Sequence, residues 1–437
     1  MSDPSRDTAA WTRDHAAGLS RTDRNTAPII YPPDRRTDPD NHLWDTWLLR
    51  TPAGEIADVD GYRVVVALTA SNDLLPGKRH DVATHRFYYS TDGRNWTPGG
   101  CVFGDSVPLG SRQWAGSAIY DPETGDVSLY YTAAGHRGED ALSYTQRLAV
   151  AHGGSARTTA DGVRFEGPWT HKTLARPDGE WYEREEQSRG MIYTFRDPWY
   201  FEDPETDEAY LLFEGNTPIP EGSKACGGDP EQQAFNGSVG IARASKTDPT
   251  ACELLPPLVD AVCVNQELER PHVVYRDGTY YLFVASHRHT FAPGIDGYDA
   301  LYGFAADALF GPYEPLNGSG LVLTNPANAP FQAYSWLAYG HCEEILVTSF
   351  LNYLDYDRPS LDDVAYLPED EQFRRFGGTL APTVRLGVDG LDTRVRGTLD
   401  HGHLPTAEEA LPETEDERIA RLRGADGDEE RPGYGAR

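Results

Sequence analysis

The feature that most constrains the fold is a series of short aromatic and β-branched runs between residues 43 and 399. Gly, Pro, Asp and Asn residues interrupt these runs, which is the pattern of many short strands joined by turns. Typical runs are residues 62–69, 86–90, 128–132, 210–213, 280–285 and 345–351. The sequence therefore predicts an all-β fold with several antiparallel sheets.

Two Asp-Gly pairs indicate how neighbouring strands are joined. Asp92-Gly93 follows the run FYYST, and Asp277-Gly278 lies between HVVYR and TYYLFVAS. Because glycine accepts the positive φ that two-residue loops require, both pairs predict tight hairpins. Aromatic hairpins that recur along the chain favour a β-propeller, whose radial blades leave only short edges. No clean sequence period accompanies them, so a pair of β-sandwiches also fits the pattern.

The two ends of the chain differ from this central part. Residues 1–40 are polar and become rich in Pro, and they contain one predicted helix over residues 9–19 with Thr8 as its N-cap. This segment is expected to pack on a β domain formed by residues 41–405. Residues 406–437 are rich in Glu, Asp, Arg and Gly. They predict a helical turn followed by a solvated acidic tail.

The charge of the chain restricts its partners. A formal net charge of -30 and a pI near 4.7 repel nucleic acid and anionic membranes, so we expect neither as a partner. A neutral or small substrate is favoured. Only four of the 39 Lys and Arg residues are Lys. That bias resembles the surface of salt-adapted proteins, in which carboxylates keep the surface hydrated, although an acidic mesophilic protein has a similar composition.

Five cysteines indicate neither a zinc site nor a dense disulfide framework, because they are odd in number and form no CxxC pair. One bridge among Cys226, Cys252 and Cys263 is a candidate. No apolar run reaches the roughly 18 residues of a membrane span, and no signal pattern is visible at the N-terminus. The protein is therefore expected to be intracellular, or to use an export signal that the sequence does not show.

Three acidic residues have neighbours that surface acids rarely have. Asp45 lies in HLWDTW, Asp197 in FRDPW and Glu269 in NQELERPH. One acid among 69 Asp and Glu residues is normally a solvated charge, but these contexts favour a shared site. Retaining glycoside transfer needs a carboxylate nucleophile and a carboxylic acid that protonates the leaving oxygen. A third acid can hold the sugar as positive charge develops, and Arg196 can orient it.

Several motifs in a fixed order extend this pattern over most of the chain. They are WTRDHA from Trp11, LWDTW, QWAGSA from Gln113, FRDPW, YLLFEGNT, ELERP, SHRHTFA from Ser286 and FQAYSW. Together they resemble the levansucrase and inulosucrase family of fructosyltransferases, glycoside hydrolase family 68, and in particular a salt-adapted, haloarchaeal-like member. The resemblance implies a five-bladed β-propeller with a funnel-shaped central pocket.

The same resemblance implies a role for each matching residue. Asp45 would be the nucleophile, Glu269 the acid and base, and Asp197 the stabiliser of the transition state. The implied substrate-binding residues are Trp44, Trp114, Arg196, Glu214, Glu267, Arg270, His287 and Tyr334. Aromatic faces pack against sugar C–H surfaces, while Arg and carboxylate groups bind hydroxyls. No cofactor is expected, and a monomer acting on sucrose and fructo-oligosaccharide acceptors is favoured.

Structural roles for these side chains are also open. The aromatic residues could be ordinary propeller core, and Glu214 and Arg270 could form an ion pair. Glu267 lies two residues from Glu269, which places both on one face of a strand. Their repulsion therefore requires a nearby Arg, such as Arg270 or Arg196.

The sequence departs from patterns found in the family at four positions. Ala115 replaces a Ser that usually hydrogen-bonds the nucleophile, so Ser117 or water is expected to take that part. Met191 and Gln266 replace two calcium-binding aspartates of Gram-positive members, and both are poor ligands for a hard cation, so no calcium site is predicted. His287 stands where Gram-positive members usually have Arg, in a context that resembles the Gram-negative type, and its imidazole can both donate to and accept from acceptor hydroxyls.

Two other functions are weighed against fructosyl transfer. An invertase-like or fructan-degrading hydrolase would use the same two-step chemistry with water as acceptor, but the NDPNG and EC motifs typical of invertases are absent. A non-catalytic sugar-binding propeller is expected to have lost one of the three carboxylates, and all are present. No residue fixes the product linkage, and the resemblance to salt-adapted members slightly favours inulosucrase over levansucrase. The substrate and family imply extracellular action, with a cytoplasmic location as the alternative.

Overall fold

Five antiparallel sheets follow one another along the chain. The computed structural model describes residues 8–406 apart from 343, 357 and 359, together with residues 409, 411–414 and 418. Each sheet is built from one continuous stretch of chain, except that a two-residue strand from the N-terminal segment joins the edge of the third sheet. Every strand run predicted from the sequence overlaps one of the observed strands. The predicted helical turn and acidic tail after residue 406 lie almost wholly outside the described residues.

The N-terminal segment and the first two sheets occupy residues 9–175. The segment contains β1 (Ala9–Ala10) and α1 (Arg13–Ala16). The first sheet contains β2 (Asn41–Arg50), β3 (Arg63–Ser71), β4 (Thr84–Ser90) and β5 (Thr97–Cys101). The second contains β6 (Arg112–Tyr120), β7 (Asp126–Ala134), β8 (Gln146–Thr159), β9 (Gly162–Glu166) and β10 (Thr170–Ala175). A short parallel pairing between β2 and β6 joins the two sheets.

The other three sheets occupy residues 195–401. The third contains β11 (Phe195–Glu202), β12 (Ala209–Asn216), β13 (Gly237–Ala244) and β14 (Cys252–Asp260), with α2 (Pro230–Gln233) in the connection between β12 and β13. The fourth contains β15 (Glu269–Arg276), β16 (Thr279–Ser286), β17 (Ala300–Ala306), β18 (Glu314–Pro315) and β19 (Leu321–Thr324). The fifth contains β20 (Ala333–His341), β21 (Glu344–Tyr353), β22 (Phe376–Leu380), β23 (Pro382–Asp389) and β24 (Asp392–His401), with α3 (Glu369–Arg375) in the connection between β21 and β22.

The first strand of each sheet faces the centre of a ring. β2 packs against β6, β6 against β11, β11 against β15, β15 against β20, and β20 against β2. The sheets are therefore five radial blades, and one large apolar core runs between adjacent blades. This arrangement confirms the predicted five-bladed β-propeller and excludes the pair of sandwiches.

Each of the five inner strands carries a β-bulge close to its start. Four of the bulges hold a non-glycine residue at positive φ: Asp45 at 33°, Asp197 at 61°, Arg270 at 50° and Ser335 at 60°. Such conformations are sparsely populated and persist only where the surrounding structure fixes them. A bulge also re-aims the side chains beside it. At this end of every inner strand, the bulge therefore directs side chains toward the central axis.

The N-terminal segment lies across the outer parts of three blades. β1 pairs in parallel with β14, and the Ala27 N–H donates to the carbonyl of Thr324 at 2.9 Å. The predicted helix is wrong in extent, since α1 has only four residues and is capped by Thr12. Thr8 is not its cap, because its hydroxyl donates to the Pro257 carbonyl and the residues that follow it, Ala9–Ala10, form β1.

The two Asp-Gly pairs differ in the loops they form. Asp277 and Gly278 make the predicted two-residue hairpin, with φ of 51° and 82° between the paired residues 276 and 279. Asp92 and Gly93 also connect paired strands, but within a longer loop. The Asp92 carboxylate accepts the N–H groups of Arg94 and Asn95. These bonds hold an Asx-type turn instead of the predicted tight hairpin.

The seam between the fifth and first blades is closed by the segment that follows β24. The Leu404 N–H donates to the Gly93 carbonyl at 2.8 Å, and the Trp96 indole N–H donates to the Gly402 carbonyl at 2.9 Å. Among the candidate cysteines, Cys226 and Cys263 form the disulfide and Cys252 is free. Within the described residues, every helix is too short or too polar to span a bilayer.

Truncation of Trp11 tests how firmly the N-terminal segment holds the ring. Its side chain is 1% exposed, packs against Phe291, Tyr302 and Phe304, and donates to the Ser319 carbonyl. We expect Trp11→Ala to cost about 3–5 kcal/mol and to lower the melting temperature measured by scanning fluorimetry. The control Trp181→Ala, at a half-exposed site, should cost less than about 1 kcal/mol. Equal effects of the two variants would contradict a docked N-terminal segment.

Candidate active site

Three predicted catalytic carboxylates lie together at the centre of the ring. Asp45 comes from β2, Asp197 from β11 and Glu269 from β15, so three blades contribute. All three line one cavity of about 560 Å³. Closure of the propeller brings these distant sequence positions together, since no local motif contains two of them.

A second cavity of about 510 Å³ adjoins the first and shares Asp45, His80 and Glu269 with it. The two lobes form a central pocket. Among the predicted binding residues, the first lobe is lined by Trp114 and Arg196, and the second by Trp44, His287 and Tyr334. The remaining three, Glu214, Glu267 and Arg270, are buried and line neither lobe.

The guanidinium of Arg196 connects the acidic side chains of the site. Its Nε lies 2.6 Å from a carboxylate oxygen of Glu214, and its Nη2 lies 2.9 Å from Glu267 and 3.1 Å from Glu269. Asp197 is 4.0 Å from Nε. Arg196 therefore relieves the repulsion between Glu267 and Glu269. It is one of the two arginines, Arg196 and Arg270, that the sequence offered for this part. Glu214 pairs with Arg196 and not with Arg270.

The two carboxylate oxygens of Glu269 have different partners. Oε1 accepts from Arg196 at 3.1 Å. Oε2 accepts the hydroxyl proton of Tyr334 and lies 3.8 Å from Nε2 of His287. Because Tyr334 and His287 come from the fifth and fourth blades, the carboxylate is held from several directions and its orientation is fixed.

Asp45 is held by a residue that the sequence did not indicate. Ser335 hydrogen-bonds its carboxylate from the bulge of β20. The Arg270 guanidinium in turn donates to the Ser335 hydroxyl at 2.6 Å, to the Ser335 carbonyl at 2.7 Å and to the Thr46 carbonyl. Arg270 thus ties the bulges of β2 and β20 together. Burial raises the pKa of Asp45, while the charge of Arg270 and the bond from Ser335 oppose this rise.

The expectation that Ser117 positions the nucleophile is wrong. Its hydroxyl donates to the Pro198 carbonyl and accepts the Tyr200 N–H, each at 2.9 Å, so it joins β6 to β11. Side chains alternate across a strand, and the bulge at Ala115 changes that alternation before Ser117 is reached. A hydroxyl near the nucleophile could be predicted, but its source on another blade could not.

Asp197 is the most deeply enclosed of the three carboxylates. Its backbone N–H donates to the Thr132 hydroxyl at 2.8 Å, and its Oδ2 accepts the Arg270 N–H at 3.2 Å. Burial raises the pKa of Asp197 to about 7, with Arg196 opposing and the negative charges of Glu269 and Asp45 adding to the rise. The carboxyl group therefore changes charge near neutral pH.

Glu214 and Glu267 carry one buried oxygen each without a partner among the described residues. Burial is the main cause of the raised pKa of both carboxyl groups, and the neighbouring Glu269 adds to it. Arg196 opposes the rise in both cases. Because more carboxyl groups than cations surround this centre, protons are retained here at pH values where a solvent-exposed Glu is ionised.

Sequence reasoning missed the 3-10 turn Pro76–Val82, which supplies His80 to both lobes. The His80 carbonyl accepts the Trp114 indole N–H at 3.2 Å, and its ring packs edge-on against Trp44 at 5.4 Å. Burial and the charge of Arg79 lower the pKa of His80 well below its usual value, so the ring is neutral. The segment PGKRHD has only loop character, and no motif in it indicated a pocket residue.

Met191 and Gln266, which stand where Gram-positive members have calcium-binding aspartates, are hydrogen-bonded to each other. The Gln266 amide oxygen accepts the N–H groups of Met191 and Ile192 at 3.1 and 3.3 Å, and its NH₂ donates to the Ile192 carbonyl at 2.7 Å. Met191 and Ile192 line the first lobe. A neutral side chain therefore attaches this wall of the pocket to the segment before β15.

Two groups of side chains could bring three ligand atoms within 4.8 Å of one another: Glu267, Glu269 and His287, and Asp197, Glu214 and Glu269. Arg196 donates to Glu214, Glu267 and Glu269. The guanidinium thus supplies positive charge to both groups from within the chain.

The propeller and its central carboxylates define the class of protein: an enzyme of the glycosidase type with a sugar-sized central pocket. A sequence profile described as levansucrase/invertase matches residues 1–405. The chain belongs to this family.

Individual relatives cover nearly the whole chain. A levansucrase from Rahnella aquatilis is 37% identical over 429 residues, covering 90% of this chain and 96% of the relative. An extracellular sucrase from Zymomonas mobilis is 34% identical over 416 residues, covering 91% and 95%. The solved structure of an inulosucrase from Halalkalicoccus jeotgali bound to kestose is 60% identical, with a TM-score of 0.91 and coverage of 93% of this chain and 100% of that one.

The raised pKa of Asp197 predicts a pH-dependent effect of its replacement. At pH 5 the folded protein keeps the Asp197 proton, whereas an unfolded carboxyl group is ionised, so the raised pKa makes folding stability fall as the pH rises toward 8. Asp197→Asn removes this buried charge. We expect the variant to raise the melting temperature by about 2–4 °C at pH 8 and by less than about 1 °C at pH 5.

The matched control is Asp140→Asn, which alters an exposed carboxylate. It should leave the melting temperature unchanged at both pH values. An equal gain for Asp197→Asn at pH 5 and pH 8 would show that titration of Asp197 is not the cause.

Proposed function

We propose that this protein transfers fructosyl units from sucrose to sucrose and growing β-fructan chains through a covalent fructosyl-enzyme. The observation that carries the proposal is the meeting of Asp45, Asp197 and Glu269 in one pocket of a chain that belongs to the levansucrase/invertase family. Sucrose-dependent fructosyl transfer is also the activity for which the levansucrase and inulosucrase relatives are named.

In the first half-reaction, Asp45 attacks the anomeric carbon of the fructosyl unit as the bond to the glucose oxygen breaks. Glu269 gives its proton to that oxygen, and glucose leaves. In the second half-reaction, Glu269 takes the proton of an acceptor hydroxyl, whose oxygen displaces Asp45 from the fructosyl carbon. Asp197 binds ring hydroxyls and stabilises the positive charge that develops in both transition states.

The binding residues divide between direct and supporting roles. Trp44 and Trp114 supply apolar walls, and Arg196 faces the sugar from the first lobe. His287 and Tyr334 face the glucose or acceptor side. Glu214 and Glu267 act through Arg196, to which both are paired. Arg270 supports Asp45 through Ser335. Its guanidinium donates to Ser335 and to the Thr46 carbonyl, and neither residue lines a lobe of the pocket.

The acceptor chemistry is the finer part of the proposal. We favour an inulosucrase, which forms β-2,1 bonds, because the relative at 60% identity is an inulosucrase bound to kestose. We further propose that residues 41–405 form the catalytic unit, with residues 1–40 packed on it and 406–437 as an acidic tail. Action outside the cell is supported by the extracellular sucrase among the relatives.

Product analysis separates transfer from hydrolysis, the competing function in this family. With sucrose as the only sugar, transfer releases more glucose than free fructose, whereas hydrolysis releases the two equally. We expect a glucose excess, and we expect carbon NMR of the product to show β-2,1 linkages. Equal release would favour the hydrolase, β-2,6 linkages a levansucrase, and release of neither sugar a non-catalytic sugar-binding propeller.

Asp45→Asn tests the proposed nucleophile. The amide cannot form the fructosyl ester, so release of both glucose and fructose should fall by about 10⁴-fold or more. The matched control Asp140→Asn, at an exposed site, should keep full activity. Full activity in Asp45→Asn would reject this residue as the nucleophile, and a melting curve like that of the wild type would show that the loss is chemical.

A further inference from the structure

One more acidic residue, Asp299, lies behind the pocket and has no role in the scheme above. Asp299 directly precedes β17 and is 4% exposed. Its Oδ2 lies 3.0 Å from Nδ1 of His287, and its Oδ1 accepts the backbone N–H of Arg288 at 2.8 Å. Both oxygens are therefore committed to the turn that carries His287.

The ring of His287 lies between two carboxylates. Nδ1 faces Asp299 at 3.0 Å, and Nε2 lies 3.8 Å from Oε2 of Glu269. The ring stacks on Tyr334 with centroids 3.8 Å apart and planes inclined by 17°, which fixes its orientation. A neutral imidazole has one N–H, so one of its nitrogens would present a lone pair to a carboxylate. Only the imidazolium offers a proton to each of them.

We infer that Asp299 is a positioning residue that keeps His287 in the doubly protonated form and directs its Nε2–H toward Glu269. The inference deepens the proposed function and rests on it for the role of Glu269. Asp299 lines neither lobe of the pocket, so it acts through His287, which does line the second lobe.

The charges around His287 support this assignment. Burial alone lowers the pKa of His287, but the charge of Asp299 and its hydrogen bond, followed by Glu269 and Glu267, raise it to about 9. The other titratable groups near the ring are Tyr334, which stacks on it, and the histidines His289 and His80, whose own pKa values are lowered. The positive charge of His287 therefore persists through neutral pH.

A lasting charge at this position has a chemical purpose. Glu269 must hold a proton while glucose leaves and must be ionised when the acceptor hydroxyl reacts. A cation next to Oε2 stabilises the ionised form and favours release of that proton. Loss of the charge would hinder the second half-reaction and would affect kcat more than KM, because His287 would still fill its place in the pocket wall.

The direct test is the titration of His287 in ¹⁵N-histidine-labelled protein, with its signal assigned by comparison with His287→Asn. In the wild type we expect the ring to stay doubly protonated up to about pH 8. In Asp299→Asn its titration midpoint should fall by about 2 pH units, because one opposite charge is removed. Asp296→Asn, an exposed site on the same loop, is the control and should leave the midpoint unchanged.

Activity on sucrose supplies a second readout. At pH 5.5 Asp299→Asn should keep kcat within about threefold of the wild type, and at pH 8 its kcat should be about tenfold lower. The double variant Asp299→Asn with His287→Arg carries a charge that needs no aspartate. Its kcat ratio between pH 8 and pH 5.5 should return to that of the wild type.

Three results would overturn the inference: a midpoint that does not move in Asp299→Asn, an activity loss of equal size at both pH values, or a double variant that remains as pH-sensitive as the single one. The titration does not depend on turnover. If the wild type has no activity on sucrose but the midpoint moves as expected, the proposed function fails while the assignment of Asp299 to His287 stands.

Discussion

The guanidinium of Arg196 is the interaction on which the rest of the site depends. It donates to Glu214, Glu267 and Glu269, which arise from two blades. Without this cation the buried carboxylates would repel one another, and each would require a proton to remain in the interior. With it, the acids stay close enough to act on one sugar. The raised pKa values of Glu214 and Asp197 show that a single guanidinium only partly neutralises the group.

Backbone geometry supplies the second constraint. The inner strands of a propeller converge on the axis, and a regular strand would point alternate side chains away from it. A bulge in each inner strand changes this direction at the end that faces the pocket. Asp45, Asp197, Arg270 and Ser335 occupy these bulges at positive φ. In the inner strands, the residues at positive φ thus belong to the site or support it, as expected where rigid surroundings impose geometry on an active site.

Sequence reasoning reached the all-β class, the propeller and the pocket carboxylates because turn residues, aromatic runs and motif order are local signals. It failed where a contact joins distant segments. Ser335 supports Asp45 from the far side of the ring, and His80 enters from a turn whose sequence resembles any polar loop. The same limit explains the short α1 helix, since pairing of β1 with β14 overrides local helix propensity. Pairing of Glu214 with Arg196 was equally inaccessible, because only the register of β11 and β12 places them side by side.

The path of the N-terminal segment has a consequence for biosynthesis. Its first described residues bond to the third blade, the next to the fourth, and Thr37 to Thr379 in the fifth. The N-terminal segment therefore leaves the ribosome well before its partners, and its contacts are complete only once the fifth blade has been made. Blades can form in order as they emerge, yet the ring cannot be fastened until synthesis is nearly complete. A chain that stopped after four blades would contain Asp45, Asp197 and Glu269. It would lack Tyr334 and Ser335, and also Thr379, which binds the N-terminal segment at Thr37.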